Sequence, residues 1–99
     1  MKYRQNREIA WRAIEGEAVL FDTAQGMMRQ LNPLATELWE RLEHEHTPSE
    51  LVAFVVERYD VPEDRARADV EAFLAALSER RLVEAVQATP RHLRRGRSK

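Results

Sequence analysis

Hydrophobic and polar positions alternate over the first third of the chain and then recur at helical spacing. Residues 8–14 alternate, and residues 17–22 form a short apolar run bounded by polar residues, so both segments are typical of strands. Only Glu15-Gly16 separates them, so the two strands must pair antiparallel. Residues 22–26 have the composition of a second turn, and residues 27–31 return as a third strand. The pattern therefore predicts a three-stranded antiparallel β-meander.

Three helices are predicted after the meander, each with a start signal and an apolar stripe. The first begins at Asn32-Pro33, because Asn suits the cap and Pro the first helical position, and it ends near Glu43. The second begins at the Thr-Pro-Ser-Glu capping box of residues 47–50. The third covers residues 62–81, with acidic residues in its first turn and arginines at its end. The predicted buried stripes are Leu34, Ala35, Leu38, Trp39 and Leu42, then Leu51, Val52, Val55, Val56 and Tyr59, then Ala66, Val70, Phe73, Leu74 and Leu77. Leu82-Val83 is expected to pack back onto this core.

Length and composition restrict the chain to one globular domain. Its 99 residues are too few for two domains, and 43% hydrophobic with 33% charged residues is the composition of a folded protein. No apolar run approaches the roughly 18 residues of a membrane span, and no signal-like segment follows the N-terminus, so we expect a cytoplasmic protein without a membrane partner. The absence of Cys excludes disulfides, thiolate nucleophiles and Cys-based zinc sites.

Charge is distributed unevenly along the chain. Residues 91–99 hold five of the sixteen basic residues, whereas residues 1–90 carry 11 basic and 17 acidic side chains, a net charge of −6. An acidic body repels a phosphate backbone, so nucleic-acid binding is disfavoured except through the tail. We expect residues 1–86 to form the domain and residues 87–99 to be a basic, disordered tail.

Few residues suggest catalysis, metal binding or a cofactor. Glu43-His44-Glu45-His46 contains potential metal ligands, but its histidines are two residues apart and would lie on different faces of a helix, so an interhelix loop is the better interpretation. No Asp or Glu lies in an apolar segment where burial would raise its pKa for acid-base catalysis. The glycines at positions 16, 26 and 96 form no phosphate-binding loop. We therefore predict a protein that is not an enzyme and holds no cofactor.

The third predicted strand offers a different kind of site. If it lies at the sheet edge, its unpaired backbone groups can bind an extended peptide, and Met27 and Met28 beside Arg29 would supply an adaptable surface. The alternative is that strand alternation buries at least one of the two methionines in the core. The residues alone leave both interpretations open.

Several short motifs occur in a characteristic order between Ile9 and Glu84. They are Trp11-Arg12, residues 16–22, Gly26, Leu31-Asn32, Ala35, Leu38-Trp39, residues 47–52, Tyr59, residues 69–74, Leu77 and residues 82–84. The most specific combination is Leu-Asn-x-x-Ala-x-x-x-Trp, followed by the capped helix and by Asp-Val-x-x-Phe-Leu-x-x-Leu. On these motifs the chain resembles the PqqD family, small domains also called recognition elements for precursors of ribosomally synthesised and post-translationally modified peptides (RiPPs).

The resemblance implies an α+β, winged helix-turn-helix-like domain that binds the leader of a precursor peptide. In the family the leader adds as a strand beside the third strand, in a groove walled by the third helix, and is presented to a modifying enzyme, often of the radical SAM type. Pyrroloquinoline quinone biosynthesis is one such pathway. Carried over to this chain, the peptide-binding residues would be Met27, Met28, Arg29, Gln30 and Leu31 on the strand and Arg65, Asp69, Ala72 and Ala76 on the helix. A monomer or weak homodimer is expected.

Two questions stay open at the level of the sequence. The acidic body suits a leader with basic residues, whereas Arg29 and Arg65 beside the groove favour an acidic stretch. The alternative functions are a DNA-binding winged helix that uses the basic tail and a subunit that merely packs on an enzyme. A DNA reader should carry basic and amide side chains on its recognition helix, but residues 62–79 hold five acidic and two basic residues.

Overall fold

A computed structural model describes residues 1–86, which form an α+β domain of five strands and three helices. The strands are β1 (Lys2–Gln5), β2 (Ala10–Ile14), β3 (Glu17–Asp22), β4 (Met27–Gln30) and β5 (Val83–Val86), and the helices are α1 (Pro33–Arg41), α2 (Pro48–Tyr59) and α3 (Glu63–Glu79). The predicted basic tail lies outside the described residues.

The predicted meander is confirmed as an antiparallel sheet in the order β2-β3-β4. The turn between β2 and β3 places Glu15 at φ 54° and Gly16 at φ 83°, the two positive angles of a tight hairpin turn. The first strand of the meander, β2, begins at Ala10 rather than at the predicted Glu8. The difference has a local cause, because the side chain of Asn6 accepts the N–H of Glu8 at 2.9 Å and closes a turn there.

A second sheet, which the sequence did not predict, pairs the two ends of the described chain. Strands β1 and β5 are antiparallel, with Lys2 opposite Val86 and Gln5 opposite Val83. Gln5 is buried, and its side-chain amide donates to the carbonyl oxygen of Trp39 at 2.8 Å. The expectation that Leu82-Val83 packs on the core is confirmed, since neither residue exposes more than 4% of its surface.

The predicted starts of α1 and α2 are confirmed by their side-chain caps. The side chain of Asn32 accepts the N–H of Ala35 at 2.8 Å, and Thr47 and Glu50 form a complete capping box. Helix α1 ends at Arg41, two residues before the predicted end, because Leu42 has already left helical geometry.

The core lies between the meander and the helices. Its buried members include Leu20, Leu82 and the whole predicted stripe of α3. The predicted stripes of α1 and α2 are buried except for Leu34, Ala35 and Val56, which are partly buried, and Tyr59. Trp39 is fully buried and meets Trp11 edge-on, with ring centroids 6.0 Å apart. Tyr59, predicted in the α2 stripe, is instead 36% exposed at the end of that helix. No helix within residues 1–86 combines the length and apolarity needed to cross a membrane.

Candidate functional site

Strand β4 forms an edge of the meander, with β3 on one side and no other described strand on the opposite side. The N–H of Leu31 donates to the carbonyl oxygen of Ala18 at 2.8 Å, which fixes the phase of the ladder. Because bonded and non-bonded pairs alternate in antiparallel sheets, Met27 and Arg29 direct their backbone groups toward β3. The N–H and C=O groups of Met28 and Gln30 therefore point away from the sheet, where an added strand would bind.

The side chains of β4 alternate between the two faces of the sheet. Arg29 lies opposite the buried Leu20 and so shares the inner, core-facing side, together with Met27 opposite Asp22. Met28 and Gln30 lie on the outer face. The interpretation that one methionine is core filler is wrong, since Met27 is 47% and Met28 68% exposed. Met27 faces inward but stands beside the β3–β4 turn, at the margin of the sheet, and so remains largely uncovered.

Leu31 has a different place from the other four predicted strand residues. It follows the last residue of β4, its side chain is 8% exposed within the core, and its N–H is bonded to Ala18. The hydroxyl of Thr36 accepts the N–H of Ala18 at 2.8 Å and donates to the carbonyl oxygen of Leu31 at 3.3 Å. Leu31 therefore anchors the end of the edge and offers it no free donor.

The four helix residues of the predicted site share one flank of α3, and all are exposed. They form what we call the α3 row: Arg65, Asp69, Ala72 and Ala76. The opposite flank faces α2, since Glu63 and Arg67 line a depression together with Val52 and Val56. Helical spacing therefore turns the α3 row away from α2.

A contact at the end of α3 relates this row to the β4 hairpin. Arg80, four residues after Ala76 and so on the same flank, donates to the side-chain oxygen of Gln25 in the β3–β4 turn at 3.4 Å. Helix α3 itself packs mainly against α2 and β5. Among the described residues, this hydrogen bond connects the end of the helix that carries the α3 row with the β3–β4 turn.

Two polar groups on the inner face of this region lack partners among the described residues. The Nε atom of Arg29 is buried without a hydrogen bond. Asp22 is 2% exposed, and its Oδ1 atom accepts the N–H of Gln25 at 3.3 Å while its Oδ2 atom has no partner. The sequence pattern predicts Asp22 as the last residue of a strand and the first of a turn, but not as a buried carboxylate. Its inward position follows from the same alternation that buries Ala18 and Leu20.

The remaining polar clusters show no arrangement suited to metal binding. Glu43 to His46 lies in the loop between α1 and α2, as predicted, where His46 and Tyr3 exchange backbone hydrogen bonds of 2.8 and 3.0 Å. Within residues 1–86, no group of three or more His, Cys, Asp or Glu side chains is placed to hold a metal ion.

A depression between α1 and α2 contains Glu37, a carboxylate with two hydrogen-bond donors. Glu37 accepts hydrogen bonds from the hydroxyl of Tyr59 at 2.7 Å and from the guanidinium of Arg58 at 3.1 Å. The bond from Tyr59, followed by the bond and charge of Arg58, lowers the pKa of Glu37, while partial burial opposes that change. A carboxylate stabilised in its charged form in this way is poorly suited to act as a general base near neutral pH.

Comparison with known proteins relates this architecture to peptide-recognition domains. The family model described as coenzyme PQQ synthesis protein D (PqqD) matches residues 17–83, and no curated protein matches the chain. The structure of TbiB1 in complex with the TbiA(beta) leader peptide is similar at a TM-score of 0.76 and 25% identity, covering 86% of this chain and 99% of that one. Lasso peptide synthetase B1 complexed with its leader peptide gives 0.75 and 27%, covering 86% and 100%.

A third solved structure supports the fold alone. It is the PqqD truncation of Methylobacterium extorquens PqqCD, described as a functional, stand-alone RiPP recognition element. It is similar at a TM-score of 0.69 and 23% identity, covering 85% of this chain and 89% of that one. The likeness to a winged helix-turn-helix stays a prediction.

Proposed function

The chain belongs to the PqqD family, and from that premise we propose that it is a non-catalytic chaperone for the leader of a ribosomally made precursor peptide. The leader adds to the β2-β3-β4 sheet as a further strand beside β4. The observation that carries this proposal is the free edge of β4, where Met28 and Gln30 direct two N–H and two C=O groups outward. The leader-peptide complexes of two similar proteins support it.

The second wall of the proposed groove is the α3 row. Its two alanines present little volume, which leaves room for leader side chains between the helix and the strand. Backbone bonds along β4 would supply affinity for any extended segment, and the side chains facing the groove would supply selectivity. The predicted set of Met27, Met28, Arg29 and Gln30 with the α3 row is retained in this proposal, while Leu31 serves as the anchor of the edge.

The bound leader would be presented to a peptide-modifying enzyme. The family description supports a role in the synthesis of pyrroloquinoline quinone or of a related modified peptide. A radical SAM enzyme is the partner class that the resemblance of the sequence implies. The Glu37 carboxylate accepts hydrogen bonds from Tyr59 and Arg58 and is poorly suited to act as a general base. This supports assigning the catalytic step to the partner enzyme. Action in the cytoplasm, as a monomer or weak homodimer, is part of the same proposal.

An NMR titration tests this function directly. The full chain, labelled with ¹⁵N, is titrated with synthetic peptides that cover the short reading frames beside its gene and, separately, with a DNA duplex. We expect one peptide to shift the amide signals of residues 26–31 and 62–77, with the largest changes at Met28 and Gln30. Shifts that arise only with the duplex and centre on α3 would instead identify a DNA-binding regulator, and a set of peptides without effect would contradict leader binding.

A further inference from the structure

We propose that Arg29 selects leaders that carry a carboxylate side chain at the position beside it on the inner face of the added strand. The inference rests on the proposed function and names the class of peptide that the same groove accepts. It assigns a specificity-determining contact to one residue of β4.

The backbone geometry allows Arg29 to contact an added strand through its side chain and not through its main-chain groups. Its own N–H and C=O groups face β3, so it contributes nothing to the main-chain bonds of an added strand. Its side chain lies on the inner face of the sheet, opposite Leu20. Because side chains of paired strands share faces, every second leader residue would lie on that inner face, and one of them would adjoin Arg29.

The guanidinium of Arg29 has no ion-pair partner among the residues that the structure describes. The side chain is half-buried, and its Nε atom is enclosed. Desolvating part of a charged group without a partner is unfavourable, so an incoming acceptor gains more here than at a solvated arginine. The planar donor fork of arginine fits a carboxylate through two parallel bonds, which makes a leader Asp or Glu the matching partner.

The charges around the groove favour one carboxylate rather than a generally acidic leader. Arg65 and Arg80 lie on the same flank of α3, but Arg80 is already bonded to Gln25. Asp69 in the α3 row and the buried Asp22 oppose an excess of negative charge. Arg29 is therefore the position where a leader carboxylate gains most.

Met27 extends this inference to a two-residue pattern. It lies two positions from Arg29 on the same inner face and is 47% exposed. Leader side chains on one face are also two residues apart. The preferred leader should therefore contain an acidic and an apolar residue separated by a single residue.

A random library of 14-residue peptides displayed on phage tests the proposal and does not require the sequence of the natural leader. The full-length chain is the bait, and clones are kept when their binding is lost with the Gln30→Pro variant, which removes an edge donor. We expect these clones to share an acidic and an apolar residue with one residue between them. Replacing the acidic residue by its amide should weaken binding at least about tenfold, the effect of losing a charged hydrogen-bonded pair.

Matched protein variants locate the contact at Arg29. Arg29→Gln should reduce the affinity of the selected peptides by a similar factor and make it insensitive to the acid-to-amide exchange in the peptide. Arg29→Lys, which keeps the charge but not the fork, should lie in between. Arg12→Gln is the control, because Arg12 is an exposed arginine opposite Val19 on the outer face of the sheet.

The outcomes separate this inference from the proposed function. Edge-dependent clones without an enriched acidic position, or with one that Arg29→Gln does not affect, would overturn the role of Arg29 and leave leader binding standing. Failure to recover any edge-dependent clone would contradict strand addition itself. Should Arg29→Gln fail to fold, the acid-to-amide exchange in the peptides still tests the contact on the unchanged protein.

Discussion

Thr36 joins helix α1 to the end of the β4 hairpin through a single hydroxyl group. It is 3% exposed, and it takes the place of a ladder bond by accepting from Ala18 and donating to Leu31. Such a group is costly to remove, because the N–H of Ala18 would then be buried without an acceptor. The hydroxyl therefore helps to hold the edge strand in the position that the proposed leader binding requires.

Replacing Thr36 by Val should destabilise the protein by about 1–3 kcal/mol, the cost of one unsatisfied buried donor. The change in the free energy of unfolding can be measured by urea denaturation. Thr36→Ser retains the hydroxyl and serves as the control, with a smaller loss expected. Equal stability of Thr36→Val and the wild type would show that the Ala18 N–H finds another acceptor and that this bond does not position the hairpin.

Glu37 makes folding stability depend on pH. Its folded-state pKa is lowered from 4.5, first by the hydrogen bond from Tyr59, so its stabilising contribution is present above the unfolded pKa. That contribution is lost as the pH falls from about 4.5 through the folded pKa, because the unfolded chain binds the proton more readily.

We expect Glu37→Gln to lower stability near neutral pH and to flatten its acid dependence. Thermal melts between pH 7 and pH 3 should show the variant and the wild type converging below pH 4.5. Glu40→Gln, at an exposed position on the same helix, is the control and should keep the wild-type profile. A constant difference between Glu37→Gln and the wild type over the whole range would refute the linkage.

At the scale of elements, the signals that predicted the fold are local ones. Hairpin turns, helix caps and apolar periodicity each depend on residues that are close together in the sequence. The meander and all three helix starts were predicted from these signals. The β1–β5 sheet was missed because its strands are four residues long and their pairing joins residues about eighty positions apart. No turn connects them, and Gln5 gives no sign in the sequence that tertiary packing buries it.

The edge of β4 gives the element-scale prediction. Met28→Pro and Gln30→Pro each remove an N–H that points away from β3, so they should abolish leader binding while leaving the β3–β4 bonds intact. Binding is measured by fluorescence anisotropy with a peptide that is active in the NMR titration, and folding by thermal melts.

Met28→Ala and Gln30→Ala are the matched controls, since both retain the backbone donor. We expect them to bind with affinities close to that of the wild type. If both proline variants kept wild-type affinity, the leader would have to bind elsewhere than this edge. If the alanine variants lost as much affinity as the proline variants, the side chains and not the backbone would carry recognition.

At the scale of the whole molecule, the sequence could propose a position for the candidate site but not its chemistry. The resemblance supplied both proposed walls, and their place in a leader-binding groove stays a prediction. The sequence could not predict that the Arg29 guanidinium is partly desolvated and has no ion-pair partner among the described residues. Both properties depend on which side chains the tertiary fold places near it. The charge preference of the groove therefore depends on the burial and pairing of Arg29, which the sequence does not reveal.

The uneven distribution of charge predicts that leader binding and nucleic-acid binding would use different segments of the chain. Residues 1–90 carry a net charge of −6, and five basic residues follow in residues 91–99. If the chain binds duplex DNA at all, those five residues must supply the contacts, and the logarithm of affinity should fall with the logarithm of salt concentration with a slope of at most about 4.5 in magnitude. The proposed leader site lies within residues 1–86 and does not include them.

Replacing all five of these basic residues by Gln in the full chain should therefore eliminate DNA binding and leave the affinity for the leader unchanged at about 0.15 M salt, the physiological ionic strength. Both affinities are measured by fluorescence anisotropy over a series of salt concentrations. Retained DNA binding in this variant would require a basic surface on the body, which a charge of −6 disfavours. A parallel loss of leader affinity would show that the basic segment contacts the leader. The leader-binding site would then have to include residues 91–99.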